Sequence, residues 1–237
     1  MKRYFNWFEL TLIGIVSLIS LYFLGIGWTI GDPILLILDI VAAICGILSV
    51  VLCAKGKKSG FIFGLVNVIF YAIISFNNLY FGEVMLNTFF YIPMNIISYF
   101  IWSKHNNIET QEVKTRSLTV KQIIISGLII LVITFIYHLF LVSLGGAMTY
   151  LDGLTTILSI FATLLMAARY AEQWLYWIII DAITIVLWIV AGSPVMIVMW
   201  GAYLINAIYG YLCWLLKSGK KIPFLKNEKI IDFLLNS

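Results

Sequence analysis

Eight long apolar stretches dominate the chain, and they limit its possible folds more than any other feature. A helix needs roughly 20 apolar residues to cross a bilayer, because all of its backbone polar groups must be satisfied within the segment. We therefore predict an all-α integral membrane protein with eight transmembrane helices. Asp32-Pro33 and Ser193-Pro194 mark two helix starts, since each places a capping residue before a proline. The eight stretches cover residues 9–30, 33–53, 59–76, 84–102, 123–144, 149–168, 173–191 and 194–216.

The composition excludes a soluble globular domain. Hydrophobic residues make up 62% of the 237 residues and charged residues only 11%, which is too few to cover a water-exposed surface. The net charge of +4 does not indicate a nucleic-acid partner, because the basic residues lie between apolar stretches. Cys45, Cys53 and Cys213 have no metal-ligand spacing, so we expect buried free thiols, no metal and no cofactor. The lipid bilayer is the expected partner.

The distribution of charge predicts the orientation of the helices. With the N-terminus inside, all 15 Lys and Arg residues fall on the cytoplasmic side, as the positive-inside rule requires. Both termini are then cytoplasmic, and we expect a multi-pass protein of the inner (plasma) membrane. A cleavable signal peptide is the alternative for the first stretch, because Lys2 and Arg3 precede an apolar run that contains Gly25 and Gly27.

Weak internal repetition relates the second to fourth helices to the sixth to eighth. Asp39 matches Asp152 at an offset of 113 residues, and Asn95 matches Asn206 at an offset of 111. One intervening helix makes both triplets begin on the same side of the membrane, so the repeats are parallel, as in the SWEET-like fold. The predicted architecture is an N-terminal helix plus two three-helix repeats joined by a linker helix, a 3-1-3 arrangement.

These patterns divide the chain into five segments. We expect an N-terminal transmembrane helix at 1–30, a first repeat at 31–103, a cytoplasmic loop and linker helix at 104–145, a second repeat at 146–216, and a tail at 217–237. The polar composition of the loop is typical of a flexible link. The tail is basic and amphipathic, so we expect it to rest on anionic lipid, with a regulatory role as the alternative.

The seventh helix carries the densest group of side chains able to bind a ligand. Trp174, Trp177 and Asp181 recur at i, i+3 and i+7, which places them on one helical face, here named the aromatic–carboxylate face. Such a face can stack a flat ring, attract a cationic ring and accept hydrogen bonds from hydroxyl groups. An interfacial tryptophan belt is the alternative for Trp174. Asp181 lies about two turns deeper, where ionisable groups mark functional sites.

Polar residues in other helices complete the candidate site. Asn67, Asn87 and Asn206 offer donors and acceptors at membrane depth, although hydrogen bonding between helices is the alternative role for each. No Lys or Arg lies within a predicted span, which disfavours a phosphorylated ligand and favours a neutral or cationic solute. The sequence leaves open whether three further ionisable residues are functional or structural, namely Asp39, Asp152 and His138.

These residues resemble the PnuC-type vitamin transporters, a family whose members include nicotinamide riboside carriers. The aromatic–carboxylate face is similar to the family's Trp-x-x-Trp-x-x-x-Asn/Asp substrate motif. The stretch from Phe61 to Asn67 resembles a Trp-Pro-x-Gly-x-x-Asn sequence of the first repeat, with Phe61 in place of the usual Trp. Asn87 stands where relatives often carry Gln. The resemblance covers about residues 33–214.

The resemblance implies facilitated uptake of the small-molecule vitamin nicotinamide riboside by alternating access, followed by cytoplasmic phosphorylation that feeds NAD synthesis. The two tryptophans would stack the pyridinium ring. Asp181, Asn67 and Asn87 would hold the ribose hydroxyls or the carboxamide. A carrier is therefore expected, and not an enzyme.

Several alternatives stay open at this point. Thiamine and riboflavin are also flat, so the substrate can be another vitamin, and Asp181 can serve a proton-coupled carrier. A channel and a binding subunit of a larger uptake machine are further alternatives. An intramembrane enzyme is disfavoured, because the sequence has neither His-Glu-x-x-His nor Gly-x-Ser-x-Gly. The sequence does not determine the oligomeric state, and a homo-oligomer is compatible with it.

Overall fold

The structure is a computed structural model that describes residues 4–27, 33–77, 81–143, 149–191, 194–220, 222 and 225–235. Four residues named in the predicted pattern lie outside these ranges, namely Lys2, Arg3, Asp32 and Ser193. The side chains of Asp39 and Asp152 are also outside the described part of the structure.

The described chain is helical, as predicted. A π-helical turn, Asn87–Tyr91, joins α4 to α5 without interruption. Each of the eight predicted spans coincides with one of these helices, the fourth with the run from α4 to α5, and the ends agree within three residues. The helices are α1 (Trp7–Gly27), α2 (Pro33–Ala54), α3 (Gly60–Asn77), α4 (Phe81–Leu86), α5 (Ile92–Lys104), α6 (Val120–Ser143), α7 (Thr149–Ala167), α8 (Gln173–Ala191), α9 (Pro194–Lys217) and α10 (Glu228–Leu235).

Within the described ranges, three segments are long and apolar enough to cross a membrane: Val84–Lys104, Val120–Ser143 and Met199–Lys217. Many large apolar side chains point outward, and on α6 they include Leu128 and Phe135. An apolar exterior of this kind is suited to lipid and not to water. Shorter apolar helical stretches lie within five other helices, α1, α2, α3, α7 and α8. They are Trp7–Tyr22, Ile40–Ala54, Gly60–Ile74, Gly153–Ala167 and Gln173–Val186.

The chain divides into two compact units. The first unit comprises Met1–Lys114 and Asn227–Ser237, and the second comprises Thr115–Lys226. In the first unit, α2 packs against α1 and α3, and α3 packs against α5. In the second unit, α7 packs against α6 and α8, and α8 packs against α9. Helix α1 thus packs against α2 in the first unit, and α6 packs against α7 in the second.

A buried ion pair fixes α1 within the first unit. The Glu9 carboxylate lies 2.9 Å from Lys55 Nζ, directly after α2, and both side chains are buried. Glu9 also forms a capping box with Asn6, since each side chain accepts a hydrogen bond from the other residue's backbone N–H, at 2.8 and 2.9 Å. The tail helix α10 contacts the start of α1, where the rings of Trp7 and Phe233 lie 6.0 Å apart. Glu9 therefore both initiates α1 and anchors it.

The α2–α3 turn and the α7–α8 turn have the same backbone conformation at an offset of 113 residues. In each turn the second residue after the helix has a positive φ, 75° at Gly56 and 69° at Arg169. The next residue, Lys57 or Tyr170, donates its N–H to the carbonyl five residues earlier, at 2.9 Å in both turns. This is the Schellman motif, which satisfies carbonyl groups at the end of a helix.

The polar loop before α6 has a defined backbone conformation, in contrast to the flexible link expected from its composition. Within the first unit, Asn106 pairs with Val113 in an antiparallel bridge, and Val113 N donates to Gly56 O at 2.9 Å. Within the second unit, Arg116 N donates to Arg169 O at 2.7 Å. The loop therefore hydrogen-bonds to the equivalent carbonyl of both Schellman turns.

A buried carboxylate holds the end of this loop in the second unit. Glu172, at the start of α8, accepts hydrogen bonds from Ser117 Oγ at 2.7 Å and from Leu118 N at 2.8 Å. The Lys220 ammonium lies 3.4 Å from the same carboxylate and also donates to Leu118 O at 2.6 Å. The Glu172 carboxylate thus connects the loop, α8 and the segment after α9.

Candidate functional site

Helix α8 carries the aromatic–carboxylate face and is firmly held by its neighbours in the second unit. Tyr176 and Ile180 of α8 pack into a core with residues of α6 and α7, among them Ile130 and Ala162. The Tyr176 hydroxyl also hydrogen-bonds with Ser126 Oγ of α6 at 2.7 Å. Since α9 packs against α8 as well, the side chains of this helix have well-defined positions.

Trp174 is packed against α9 and is only 3% exposed. Its ring meets Trp214 edge to face, with centroids 6.2 Å apart and planes at 78°. It also lies directly over Gly210, where a Cβ atom would come within 2.7 Å of Trp174 Cε2. Such burial inside the unit disfavours the interfacial-belt interpretation. Trp174 holds α8 against α9, and its Nε1 has no hydrogen-bond partner among the described residues.

Trp177 and Asp181 lie one and two turns further along α8. Trp177 is partly buried and packs against the core of the second unit. Asp181 is 3% exposed, and its carboxylate receives no hydrogen bond or ion pair from the described part of the chain. A buried carboxylate without a donor is costly, because the hydration that it loses is not replaced. Asp181 is therefore a strong candidate for a residue that contacts a ligand.

Asn206 belongs to the same unit and lies on α9, where its side chain is buried. The second unit therefore contains four of the six predicted ligand-binding residues on two adjoining helices. Three are on α8 and one is on α9, namely Trp174, Trp177, Asp181 and Asn206.

The other two predicted residues, Asn67 and Asn87, belong to the first unit. Asn67 lies on α3 and donates a hydrogen bond from Nδ2 to the Ala42 carbonyl of α2 at 2.8 Å, which is the interhelical role considered as its alternative. Asn87 is buried and begins the π-helical turn, where its carbonyl accepts from Ile92 N. Single π-helical turns are frequent at functional sites, so Asn87 is a better candidate for a ligand-binding residue than Asn67.

Two other polar residues have structural surroundings. Asn95 donates a hydrogen bond to the Tyr91 carbonyl at 2.9 Å. A Cβ atom added at Gly64 would come within 2.5 Å of Asn95 Oδ1. Gly64 is therefore required for the close contact between α3 and α5. In the second unit, the His138 ring packs edge to face on Tyr150, with centroids 5.7 Å apart.

Gln173, the first residue of α8, was not among the ligand-binding residues predicted from the sequence. The structure buries it completely, with 0% exposure, and neither amide atom has a hydrogen-bond partner among the described residues. Its spacing of four residues from Trp177 and eight from Asp181 was a usable signal, because residues at these intervals share a helical face.

The chemistry of this arrangement is that of binding. The described residues contain no group of three or more His, Cys, Asp or Glu side chains able to hold a metal ion. Helix α8 instead offers an indole, a carboxylate and an amide, which suit a ring with a positive charge and polar substituents. The apolar helices are those of a membrane protein, and the polar face of α8 is its candidate site for a small solute.

Comparison with known proteins gives the family. The chain belongs to the nicotinamide mononucleotide transporter family, whose sequence profile matches residues 36–216. This confirms the resemblance found in the sequence.

Curated relatives carry the name nicotinamide riboside transporter PnuC. The protein from Neisseria mucosa is 41% identical over 184 residues, covering 73% of this chain and 70% of its own length. The protein from Haemophilus influenzae is 38% identical over 179 residues, covering 75% and 78%. The Escherichia coli protein is 26% identical over 203 residues, covering 75% and 84%.

A solved structure supports the same placement. The crystal structure of a vitamin B3 transporter PnuC is 36% identical to this chain and superposes with a TM-score of 0.75. The match covers 91% of this chain and 93% of the other. The all-helical fold is thus that of a PnuC transporter.

Proposed function

We propose that this protein takes up nicotinamide riboside by facilitated diffusion. The observation that carries the proposal is Asp181, a buried carboxylate on the face of α8 with no hydrogen-bond donor in the described chain. The curated relatives are named for the same substrate. A cationic pyridinium ring with a ribose supplies both a positive charge and the hydroxyl donors that such a carboxylate needs.

Each residue of the face has a distinct proposed role. Trp177, which is partly buried, stacks the pyridinium ring, and Asp181 accepts hydrogen bonds from the ribose hydroxyls. Trp174 contacts the substrate at the edge of the site while it keeps α8 against α9. Asn206, on the adjoining helix, supplies a further amide. Asn67 and Asn87 stay predicted ligands on the evidence of the sequence alone.

The riboside fits these residues better than the mononucleotide after which the family profile is named. A phosphate group needs cationic side chains or several free backbone N–H groups. The predicted spans contain no Lys or Arg, so the charge of a phosphate would be unbalanced at the depth of Asp181. Thiamine and riboflavin remain the alternative substrates.

In the proposed arrangement the protein crosses the inner (plasma) membrane with eight transmembrane helices. Both termini lie in the cytoplasm. The charge distribution supports this orientation. The matching turns at Gly56 and Arg169 support two parallel repeats of the 3-1-3 type. The packing of α1 against α2 and of α6 against α7 is compatible with an N-terminal helix and a linker helix that each precede a three-helix repeat.

Transport proceeds by alternating access, and trapping of the substrate follows from its phosphorylation in the cytoplasm, which feeds NAD synthesis. A passive carrier needs the fewest assumptions, because the sequence contains no nucleotide-binding loop. A proton-coupled carrier that uses Asp181 is the second candidate mechanism. Counterflow into proteoliposomes that responds to an imposed pH gradient would favour it.

Calorimetry of the purified protein tests the proposal. We expect nicotinamide riboside to bind, and thiamine, riboflavin and nicotinamide mononucleotide to bind at least about 100-fold more weakly, since desolvated polar groups discriminate strongly. Asp181→Ala and Trp177→Ala should each lower affinity by about 100-fold or more while the melting temperature is kept. Selective binding of another vitamin would replace the substrate, and unchanged affinity in Asp181→Ala would remove Asp181 from the site.

A further inference from the structure

Gln173 is a buried amide that the proposed roles do not use. It is completely buried, and neither Oε1 nor Nε2 has a hydrogen-bond partner among the described residues. Its neighbours at the start of α8 have fixed partners, since Glu172 is bound by Ser117 and Leu118, and the Gln173 backbone N–H donates to Tyr170 O at 3.3 Å. Among the described residues, the Gln173 amide is left unsatisfied there, as is Nε1 of the adjacent Trp174.

An unsatisfied buried amide is unusual. Most buried side-chain polar atoms in folded proteins have at least one partner, and each exception requires an explanation such as a binding role. A glutamine amide has two donor hydrogens and an acceptor oxygen, and here none of these groups is used. A hydrophobic side chain of the same size would fill this position without the loss of hydration. The amide therefore points to a partner that this structure does not contain.

Gln173 lies on the same face as the proposed site. Gln173, Trp177 and Asp181 recur at four-residue intervals, so they follow one another along one side of α8. Eight residues of helix separate Gln173 from Asp181, a rise of about 12 Å. Trp177 lies midway. This length matches a ligand with a ring at its centre, hydroxyl groups at one end and an amide-binding group at the other.

We propose that Gln173 pairs with the carboxamide of the substrate and sets the direction in which the substrate lies along α8. The inference rests on the proposed function. A primary carboxamide presents one donor and one acceptor side by side, which is the complement of the glutamine amide. The carboxamide then points towards the start of α8, the pyridinium ring lies on Trp177, and the ribose points towards Asp181.

The pairing makes Gln173 a specificity-determining residue. Nicotinic acid riboside presents a carboxylate, which only accepts hydrogen bonds and so loses half of the pairing. A pyridinium riboside without any carboxamide leaves Gln173 unsatisfied. Gln173 is completely buried in this structure, so the proposed contact requires a conformation of the transporter in which the amide is accessible to the substrate.

The test compares two ligands on two proteins by calorimetry. The ligands are nicotinamide riboside and the pyridinium riboside that lacks the carboxamide. The unaltered protein should prefer nicotinamide riboside by about 10-fold or more. Gln173→Leu should bind both ligands with equal affinity, because the substitution lowers the affinity for nicotinamide riboside and leaves that for the other ligand unchanged. A structural role for Gln173 would instead weaken both ligands by the same factor, and that result would overturn the proposal.

Two further measurements keep the test decisive. Thr134→Val is the matched control, because Thr134 on α6 is also fully buried, and its hydroxyl has no partner in the described chain. It should retain the full preference for the carboxamide. Equal binding of both ligands to the unaltered protein would also refute the pairing, whether or not Gln173→Leu folds. Failure of the unaltered protein to bind nicotinamide riboside would instead refute the proposed function, and the pairing with it.

Discussion

Gly56 and Arg169, 113 residues apart, occupy the same left-handed position in two equivalent turns. Their φ angles are 75° and 69°, and the carbonyl of each accepts a hydrogen bond from the polar loop, from Val113 N at 2.9 Å and from Arg116 N at 2.7 Å. Glycine adopts this conformation without strain, whereas a residue with a Cβ atom does not. The second turn therefore contains a strain that the first turn avoids.

Exchange of side chains at these two positions should change stability in opposite directions. Arg169→Gly should stabilise the protein by about 1 kcal/mol, because it removes the left-handed strain. Burial and the nearby Arg116 also lower the pKa of Arg169, so the folded state disfavours its charge. Gly56→Ala should destabilise by about 1 kcal/mol, since its Cβ finds ordinary contacts with Val113 and only φ is strained. Melting temperatures of the detergent-purified variants measure both effects. If both substitutions shift the melting temperature in the same direction, the two turns are not equivalent.

Replacement of Gly210 should displace Trp174. The added Cβ atom of Gly210→Ala would come within 2.7 Å of the indole, so we expect a loss of about 1–3 kcal/mol and a weaker affinity for substrate. Gly201→Ala is the matched control on the same helix, because nothing lies within 4 Å of its Cβ position. It should be neutral or stabilise by up to about 1 kcal/mol. Thermal melting and calorimetry of the pair separate the contact with Trp174 from helix propensity.

Removal of the Glu172 carboxylate should loosen the loop before α6. Glu172→Ala leaves the Leu118 N–H and the Ser117 hydroxyl without their acceptor, which should cost about 2–4 kcal/mol. The exposed Glu228 is the control, and its replacement by Ala should cost less than about 0.5 kcal/mol. Hydrogen exchange at Leu118 should rise in the first variant only. Unchanged exchange there would show that the carboxylate does not hold the loop.

The ion pair of Glu9 and Lys55 should be strongly coupled. Either residue alone replaced by Met leaves a buried charge without its partner, so each single variant should lose about 3–5 kcal/mol. The double variant should recover most of this loss, because no buried charge remains. The more exposed pair of Lys57 and Glu112, at 3.7 Å, is the control and should contribute less than about 1 kcal/mol. If the losses of the two single variants simply add up in the double variant, the charges of Glu9 and Lys55 are not coupled.

The sequence by itself determined the helices and the face that carries Trp177 and Asp181. A bilayer accepts few structures, because backbone polar groups must be satisfied within each segment, so runs of apolar residues predict helices within a few residues. The i, i+3 and i+7 spacing on α8 is equally local, since it depends only on the helical period. The resemblance to the family was found from the same short motif, and the family profile matches residues 36–216.

Only the tertiary structure decided what each polar or aromatic side chain contacts. Trp174 and Trp177 are alike in the sequence, yet Gly210 and Trp214 of α9 cover Trp174. Asn67 was predicted as a ligand, yet Ala42, 25 residues away, accepts its amide hydrogen. The burial of Gln173 has the same origin. These contacts join residues distant in the chain, and their energies depend on packing geometry, which no local pattern in the sequence specifies.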